Sequence, residues 1–343
     1  MTKSTPTPAQ AADAGMQAAQ SQAGPQRFRS PLLRRRRDPL NQLRFGAPAP
    51  DAKRELLRER LDARLLDTVA ALPHALRAQA AELLAGYGAG KLSFIGLFYS
   101  PTWSFLGERS PGDEAQALAE QVQAHALFLH LWDDHLCDGQ LAPDLVRLHL
   151  RTVAWQRFEE GARALARVRR RAATSVDAAL ERYFASGPIA GVGRPQVQSA
   201  AAYLDRFRDE VAIWKVVPEL LDESLPPGPL TAAVEHFSIA WRLLDDLQDT
   251  YDDLLVDHHS AVWWACDAAL RSAWAACHKL QAEPGAWAEL LAALDSAGIV
   301  SALLNQTREH LELARDAAAA ADCLGLAADL SAMRAGLSEY ASR

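Results

Sequence analysis

Apolar residues recur every three or four positions from residue 51 onward, which is the spacing of helices that bury one face. The stretch "DAKRELLRERLDARLLDTVAAL" opens this pattern, and no run alternates with period two long enough to predict a strand. Further helices are predicted near 113–137, 142–172, 173–186, 197–223, 229–256, 260–281, 284–296, 298–320 and 322–341. The pattern therefore predicts an all-α fold in a single domain.

Three of these helices contain segments that are apolar on most of their circumference. The segments read "HALFLHLW", "FSIAWRLL" and "AVWWACDAAL". A helix that is apolar all round belongs in the middle of a bundle and not on its surface. We therefore expect a helical bundle with these three helices at its centre.

Residues 1–50 differ from the rest of the chain. They are rich in Pro, Gln and Ala and carry a net charge of +6 (eight Lys/Arg, two Asp), against −7 for the whole protein. This composition predicts a disordered basic tail at 1–50 before a helical domain at 51–343. The "RRRR" run is typical of a solvated tail, although contact with an acidic surface stays open, and we expect no nucleic-acid partner.

The expected cellular location of the protein follows from features that its sequence lacks. No stretch approaches the roughly 18 apolar residues of a membrane span, so none is expected. The tail has no apolar signal region, and the four cysteines show no CxxC spacing, which is typical of reduced thiols. We expect a cytoplasmic protein, with an organelle transit peptide left open.

Acidic clusters follow the apolar segments "HALFLHLW" and "FSIAWRLL". They are Asp133, Asp134 and Asp138 in "DDHLCD", and Asp245, Asp246 and Asp249 in "DDLQD". Residues four apart share a helix face, so each cluster forms a carboxylate stripe. Two such stripes across the mouth of an apolar cavity would suit Mg²⁺, which binds carboxylates and leaves positions for substrate phosphate. Taken alone, either cluster could be a solvated helix end.

Lys215 is one of only five lysines, and it stands in the apolar segment "VAIWKVV". Arg208 lies seven residues earlier on the same predicted helix face. These cations could bind an anion, or they could extend outward to solvent along their aliphatic stems.

Together these motifs resemble those of the class I isoprenoid synthases, the superfamily of trans-polyprenyl diphosphate synthases and class I terpene synthases. The resemblance implies the class I terpenoid synthase bundle with a central apolar cavity. It implies that Asp133, Asp134 and Asp138 bind two of three Mg²⁺ ions, and that Asp245 and Asp249, supported by Asp246, bind the third. Lys215 would contact the substrate diphosphate, with Arg208 beside it. Trp132, Trp241, Phe98 and Trp103 could stabilise an allylic cation, with ordinary core packing as the alternative for each of them.

The sequence also departs from the chain-elongating members of that superfamily. They carry an arginine pair soon after the first motif, and this chain has only the isolated Arg147, Arg151 and Arg157 in that region. The segment "GAGKLSF" keeps Gly90 and Lys91 without the arginine expected nearby, and no lysine follows the second motif. The site that ionises a prenyl diphosphate is therefore predicted to be present, and the site for a second diphosphate to be absent.

The resemblance implies a Mg²⁺-dependent class I terpene synthase, a carbon–oxygen lyase that ionises a linear C15–C25 prenyl diphosphate and cyclises or quenches the cation. A prenyltransferase that elongates the chain or uses another acceptor is the first alternative. A non-catalytic regulatory subunit of a prenyl synthase is the second. For the enzyme alternatives, a second copy of this chain in a homodimer is the protein partner left open. Asp133→Ala or Asp245→Ala is expected to abolish turnover and to leave the fold intact or slightly more stable.

Overall fold

The structure, a computed structural model, describes residues 39–87, 93–109, 112–137, 139–186, 197–222 and 227–337. Fourteen α-helices and no strand occur in these ranges. In chain order the helices are α1 (Ala52–Ala71), α2 (His74–Tyr87), α3 (Asp113–Cys137), α4 (Leu145–Val168), α5 (Thr174–Ser186), α6 (Ala200–Glu210), α7 (Val216–Leu221), α8 (Pro229–Gln248), α9 (Thr250–Val256), α10 (Ala261–Ala265), α11 (Ala268–Lys279), α12 (Pro284–Ser296), α13 (Ile299–Ala320) and α14 (Leu324–Gly336). The predicted all-α fold is confirmed.

Short 3₁₀ turns supplement the α-helices. They span Leu40–Gln42, Ile95–Leu97, Ser100–Thr102, Ser104–Gly107 and Ala212–Lys215. Three of these turns lie between α2 and α3, in the aromatic segment that the sequence shows after residue 92. The Ala212–Lys215 turn separates α6 from α7, so that one long predicted helix is divided where Val211 leaves the helical conformation (φ −99°, ψ 14°).

Two other predicted helices are also divided. The segment 260–281 becomes α10 and α11 because Cys266 is extended and the Asp267 side chain accepts the N–H of Leu270, which starts a new helix. The segment 229–256 breaks at Asp249 (φ −96°, ψ 7°) between α8 and α9. Periodicity alone could not predict these breaks, since the apolar spacing continues across them.

The centre of the bundle is formed by α3 and α8, which carry two of the three segments predicted to lie there. The third segment, "AVWWACDAAL", is only partly buried, with Asp267, Ala268 and Ala269 exposed. In α3, eight consecutive residues from Val122 to Leu129 are buried, including Gln123 and His125. In α8, the residues from Phe237 to Ala240 are buried, and so are Leu243 and Leu244 in the turn that follows them. Along its length α3 packs against α4, while α8 packs against α13. Each central helix is therefore covered by neighbouring helices.

The chain divides into two units, residues 1–42 and 43–343. Of the first unit the structure describes residues 39–42, which form the Leu40–Gln42 turn. The second unit begins before the predicted domain boundary at residue 51, because Leu43 and Phe45 are buried and Gly46 N–H donates to Met333 O at 2.9 Å. The predicted disorder at 1–38 lies outside the described residues.

No single helix in the described ranges is long and apolar enough to cross a membrane. The bent pair Pro284–Ser296 and Ile299–Ala320, which meets at 58°, reaches the required length and composition only when its two helices are taken together.

Candidate active site

Both acidic clusters lie near the C-terminal ends of the two central helices. Asp133 and Asp134 precede the end of α3 at Cys137, and Asp245 and Asp246 fall in the last turn of α8. The C-terminal end of a helix carries a partial negative charge, so carboxylates are disfavoured there unless a cation compensates them. Asp138 lies outside the described residues.

Asp133 is compensated by an arginine from the next helix. Its side chain is fully buried and forms a bidentate ion pair with Arg151 of α4, which donates from Nε to Oδ1 and from Nη2 to Oδ2, the latter at 2.8 Å. The Tyr183 hydroxyl of α5 donates to the same Oδ2 at 3.2 Å. Burial raises the pKa of Tyr183 well above its usual range, so the hydroxyl remains a donor.

Asp246 has closely similar surroundings. Arg242, one turn earlier on α8, places its Nε 3.0 Å from Asp246 Oδ1, and the Tyr203 hydroxyl of α6 donates to Oδ2 at 2.8 Å. The backbone N–H of Ala261 at the start of α10 donates to Oδ2 as well, also at 2.8 Å. Each central helix therefore has one buried aspartate that is held by an arginine and a tyrosine.

Asp134 and Asp245 differ from these two aspartates. Burial raises the pKa of Asp245 to about 7; Asp249, Asp246 and Asp134 add to the rise, and Arg242 opposes it. Burial also raises the pKa of Asp134, again with Arg242 opposing. Because the charge on Asp134 acts on Asp245, the two clusters stand within electrostatic reach of each other. The metal site that the sequence predicts at these two clusters stays a prediction.

More acidic groups belong to this region than the predicted ligands. Burial raises the pKa of Asp253 in α9 to about 8, with Asp246 and Asp249 contributing. Burial likewise raises the pKa of Glu210 at the end of α6, and Asp134 contributes there. Burial is the largest cause of the raised pKa in each of these groups, and the neighbouring carboxylates add to it.

A cavity of about 250 Å³ lies beside the acidic clusters. Its lining is Leu97, Phe98, Tyr99, Thr102, Leu131, His135, Trp214, Phe237 and Trp241. Leu131 and His135 flank Asp134 on α3, and Trp241 precedes Asp245 by one turn of α8. Asp245 also raises the pKa of Tyr99, in addition to the larger effect of burial, which places the two groups near each other. An apolar, largely aromatic cavity therefore lies within one helical turn of Asp134 and Asp245.

Two of the predicted aromatic residues, Phe98 and Trp241, line this cavity. Trp241 stacks on Trp214 at 5.4 Å, and Phe98 meets Trp214 edge-on at 6.0 Å. Trp132 is fully buried and packs against Phe128 at 4.9 Å. The predicted aromatic set thus divides between cavity wall and core.

Lys215 and Arg208 do lie together, but they contact Glu235 of α8 and not the aspartates at the end of that helix. Lys215 is buried and its Nζ lies 2.6 Å from Glu235 Oε2, while Arg208 Nε lies 3.4 Å from Glu235 Oε1. Glu235 precedes Asp245 by ten residues, which is about 15 Å along a helix. Burial raises the pKa of Glu235, but Lys215 and Arg208 outweigh it and the pKa is lowered. In this structure the two cations serve an internal carboxylate.

The cations nearest the acidic clusters are Arg151 and Arg242, which sequence reasoning did not select as site residues. Arg242 stands inside "FSIAWRLLDD", where a charged residue in an apolar helix was the available signal. Arg151 gave no local signal, because α4 is generally rich in arginine. Tyr183 and Tyr203 could not be found from spacing either, since each lies on a different helix from its aspartate.

The residues fit a divalent cation in part. Among the described residues, no three His, Cys, Asp or Glu side chains are grouped closely enough to hold a metal ion. Asp134 and Asp245 have raised pKa values, and a nearby cation would lower them because it favours the ionised carboxylate. Asp133 and Asp246 are already bonded to arginine. Gly90 and Lys91, like Asp138, lie outside the described residues.

The bundle is similar to a solved polyprenyl synthetase from Streptomyces coelicolor A3(2). The alignment covers 80% of this chain and 97% of that one, with a TM-score of 0.58 and 15% sequence identity. The chain has the polyprenyl-synthase fold. A polyprenyl synthase from Roseobacter denitrificans aligns over 83% of this chain and 99% of its own at 17% identity, with a TM-score of 0.48. No family model and no curated protein matches the sequence.

A polyprenyl-synthase fold at this identity establishes the arrangement of the helices. The predicted bundle with a central apolar cavity is confirmed. Activity has to be argued from the residues of this chain, because one fold can carry different reactions.

Proposed function

We propose that this protein is a Mg²⁺-dependent class I terpene synthase that ionises a linear C15–C25 prenyl diphosphate and cyclises or quenches the resulting cation. The observation that supports it best is the aromatic cavity whose wall includes His135, next to Asp134, and Trp241, one turn before Asp245. A cavity of about 250 Å³ lies near the lower end of ligand pockets, roughly 300 Å³, which favours the shorter of these chains.

The reaction would begin when the carbon–oxygen bond of the allylic diphosphate breaks and its electron pair leaves with the diphosphate. Mg²⁺ bound by Asp134 and Asp245 would stabilise that negative charge as a Lewis acid. The hydrocarbon would lie in the cavity, where the faces of Trp241, Trp214 and Phe98 could stabilise the positive charge. Loss of a proton or addition of water would then end the reaction.

Exclusion of water is the second requirement, and the cavity lining supplies it. Apart from Tyr99, Thr102 and His135, the lining is apolar or indole. The Thr102 hydroxyl donates to Tyr99 O at 2.9 Å, which fixes its orientation in the wall. His130, behind Trp214, is held neutral because burial lowers its pKa to about 4. A cation could therefore rearrange in this cavity before it is quenched.

Chain elongation is the rival that the comparison favours, because the protein from Streptomyces coelicolor is named a polyprenyl synthetase. Product analysis separates the two reactions. Purified protein would be incubated with Mg²⁺ and geranyl, farnesyl, geranylgeranyl or geranylfarnesyl diphosphate, each with and without isopentenyl diphosphate. A hydrocarbon or alcohol from one diphosphate alone is the expected product, detected by mass spectrometry. A longer diphosphate that forms only with isopentenyl diphosphate would establish the rival.

An Asp245→Asn variant makes this experiment specific to the site. Turnover is expected to fall at least about 100-fold, the order of loss when a group that stabilises developing charge is removed. Asp295→Asn, at an exposed aspartate of α12, is the matched control and should keep full activity. If the wild type turns over no diphosphate and binds neither Mg²⁺ nor pyrophosphate in calorimetry, the regulatory-subunit alternative takes precedence.

A further inference from the structure

The two buried aspartates of the site share one arrangement on opposite helices. Asp133 is bonded to Arg151 and Tyr183, and Asp246 is bonded to Arg242 and Tyr203. Arg242 Nε also donates to the Tyr203 hydroxyl at 2.7 Å, which closes the second set into a ring of three side chains.

These aspartates are poorly placed to bind metal. A carboxylate offers about four acceptor positions. Asp246 already accepts from the Tyr203 hydroxyl and the N–H of Ala261, and it is ion-paired with Arg242. Turning Asp246 toward a metal ion would leave Arg242 without its carboxylate in a largely buried position, which is strongly unfavourable. The same holds for Asp133, whose two oxygens are both bonded to Arg151.

The arginines, in contrast, keep donors available. A guanidinium carries five N–H groups, and Arg242 directs its Nε edge at Asp246 and Tyr203. Its Nη1 lies 3.6 Å from Asp245 Oδ2, which is beyond hydrogen-bond length. The side chains of Arg242 and Arg151 are 25% and 24% exposed, so both remain accessible to a ligand from solvent. Phe207 and Tyr203 flank the Arg242 guanidinium at 5.5 and 5.6 Å, which limits its rotation.

We infer that Arg242 and Arg151 bind the substrate diphosphate directly, and that Asp246 and Asp133 are positioning residues that hold them and do not bind metal. A fixed guanidinium fork matches a phosphate oxygen pair, which suits this role. The inference rests on the proposed function. It also gives the site its cationic partners, since Lys215 and Arg208 are bonded to Glu235.

The test separates metal binding from anion binding and needs no turnover. Mn²⁺ binding without anion would be measured by electron paramagnetic resonance, and pyrophosphate binding with Mg²⁺ by calorimetry. The variants are Asp245→Asn, Asp246→Asn, Arg242→Lys and the charge-balanced pair Arg242→Gln with Asp246→Asn. Arg163→Gln, at a surface arginine of α4 paired with Glu159 and Asp177, is the control. Circular dichroism would establish that each variant is folded.

Asp246→Asn is expected to leave Mn²⁺ affinity within about threefold of wild type and to weaken pyrophosphate binding about 10-fold or more, the value of hydrogen bonds to a charged group. The charge-balanced double variant should weaken pyrophosphate binding by a similar factor. Arg242→Lys, which keeps the positive charge, should bind pyrophosphate more tightly than the double variant and less tightly than wild type. Asp245→Asn should lower Mn²⁺ affinity about 10-fold. The control should match wild type in both measurements.

Two results would overturn the inference. If Asp246→Asn lowers Mn²⁺ affinity as much as Asp245→Asn does, Asp246 is a metal ligand. If the charge-balanced pair binds pyrophosphate as tightly as wild type, Arg242 does not contact the anion. Both outcomes leave the proposed function standing, whereas a wild-type protein that binds neither Mn²⁺ nor pyrophosphate would overturn the proposed function together with this inference.

Discussion

Asp133 and Asp245 begin the two acidic motifs, yet their surroundings have opposite consequences for stability. Asp133 is buried against Arg151 and Tyr183, so its charge is compensated within the protein. Asp245 has a raised pKa because burial and three neighbouring aspartates act against its charge. Spacing in the sequence treats the two residues alike, and only their neighbours in space separate them.

Replacing these two aspartates should therefore shift the free energy of unfolding in opposite directions. Asp133→Asn is expected to lower it by about 2–3 kcal/mol, because it leaves Arg151 without its carboxylate. Asp245→Asn is expected to raise it by about 1 kcal/mol near pH 8, discounted for its partial exposure. Urea denaturation with a chelator measures both values. Equal effects of the two variants would show that the Asp133–Arg151 pair contributes nothing to the fold.

The pH dependence of stability follows from the same raised pKa values. Asp245 and Asp253 have pKa values of about 7 and about 8, against an ordinary value of 3.8. The folded state therefore keeps protons that the unfolded chain releases, so metal-free stability should fall as pH rises from about 4 to about 8. We expect a loss of about 1–2 kcal/mol over this range, measured by denaturation with a chelator. The loss should be smaller in Asp245→Asn, and a flat wild-type profile would contradict the assignment.

At the scale of helices, the sequence predicts positions well and partners poorly. The spans 113–137 and 284–296 agree with α3 and α12 because each has a continuous apolar repeat and a clear end. The partners of the aspartates come from elsewhere in the chain. Tyr183 is 50 residues from Asp133, and Tyr203 is 43 residues from Asp246. Packing between helices decides such contacts, and a single sequence does not contain that information in its spacing.

Lys215 illustrates the same limit. Its rarity and apolar surroundings predict a lysine that either binds an anion or extends outward to solvent, and they do not identify a carboxylate of the protein as its partner. In the structure the partner is Glu235 of α8, so Lys215 ties the 3₁₀ turn between α6 and α7 to the central helix. Binding of the substrate diphosphate by Lys215 stays a prediction.

Glu235→Gln is expected to lower the free energy of unfolding by about 2–3 kcal/mol, because it leaves the buried Lys215 charge unpaired. Asp205→Asn is the matched control, since it removes an exposed partner of Arg208 and should cost less than about 0.5 kcal/mol. Thermal or urea unfolding measures the difference. If Glu235→Gln is neutral and Lys215→Met instead abolishes pyrophosphate binding at unchanged stability, the substrate role predicted from the sequence is correct.

At the scale of the whole molecule, the segment that precedes α1 supports the cavity from outside. The Phe45 ring lies 5.1 Å from Tyr99 and 6.0 Å from Phe237, and both of these residues line the cavity. Gln248, the last residue of α8, donates to Leu43 O. A Cβ on Gly46 would overlap Ala332 O of α14, so the segment runs against the bundle at a distance that only glycine allows there. The segment therefore connects the C-terminal end of α8 to α14.

Truncation distinguishes the two domain boundaries. A chain that begins at residue 51, the predicted boundary, should be less stable than one that begins at residue 43 by about 4 kcal/mol or more. It loses the buried Leu43 and Phe45 side chains, and a buried Phe alone is worth about 3–5 kcal/mol. Because the two chains differ only in residues 43–50, residues 1–42 do not enter the comparison. Gly46→Ala in the full chain should act in the same direction through its overlap with Ala332. Equal denaturation midpoints for the two truncated chains would place the domain boundary at residue 51 and remove Phe45 from the support of the cavity wall.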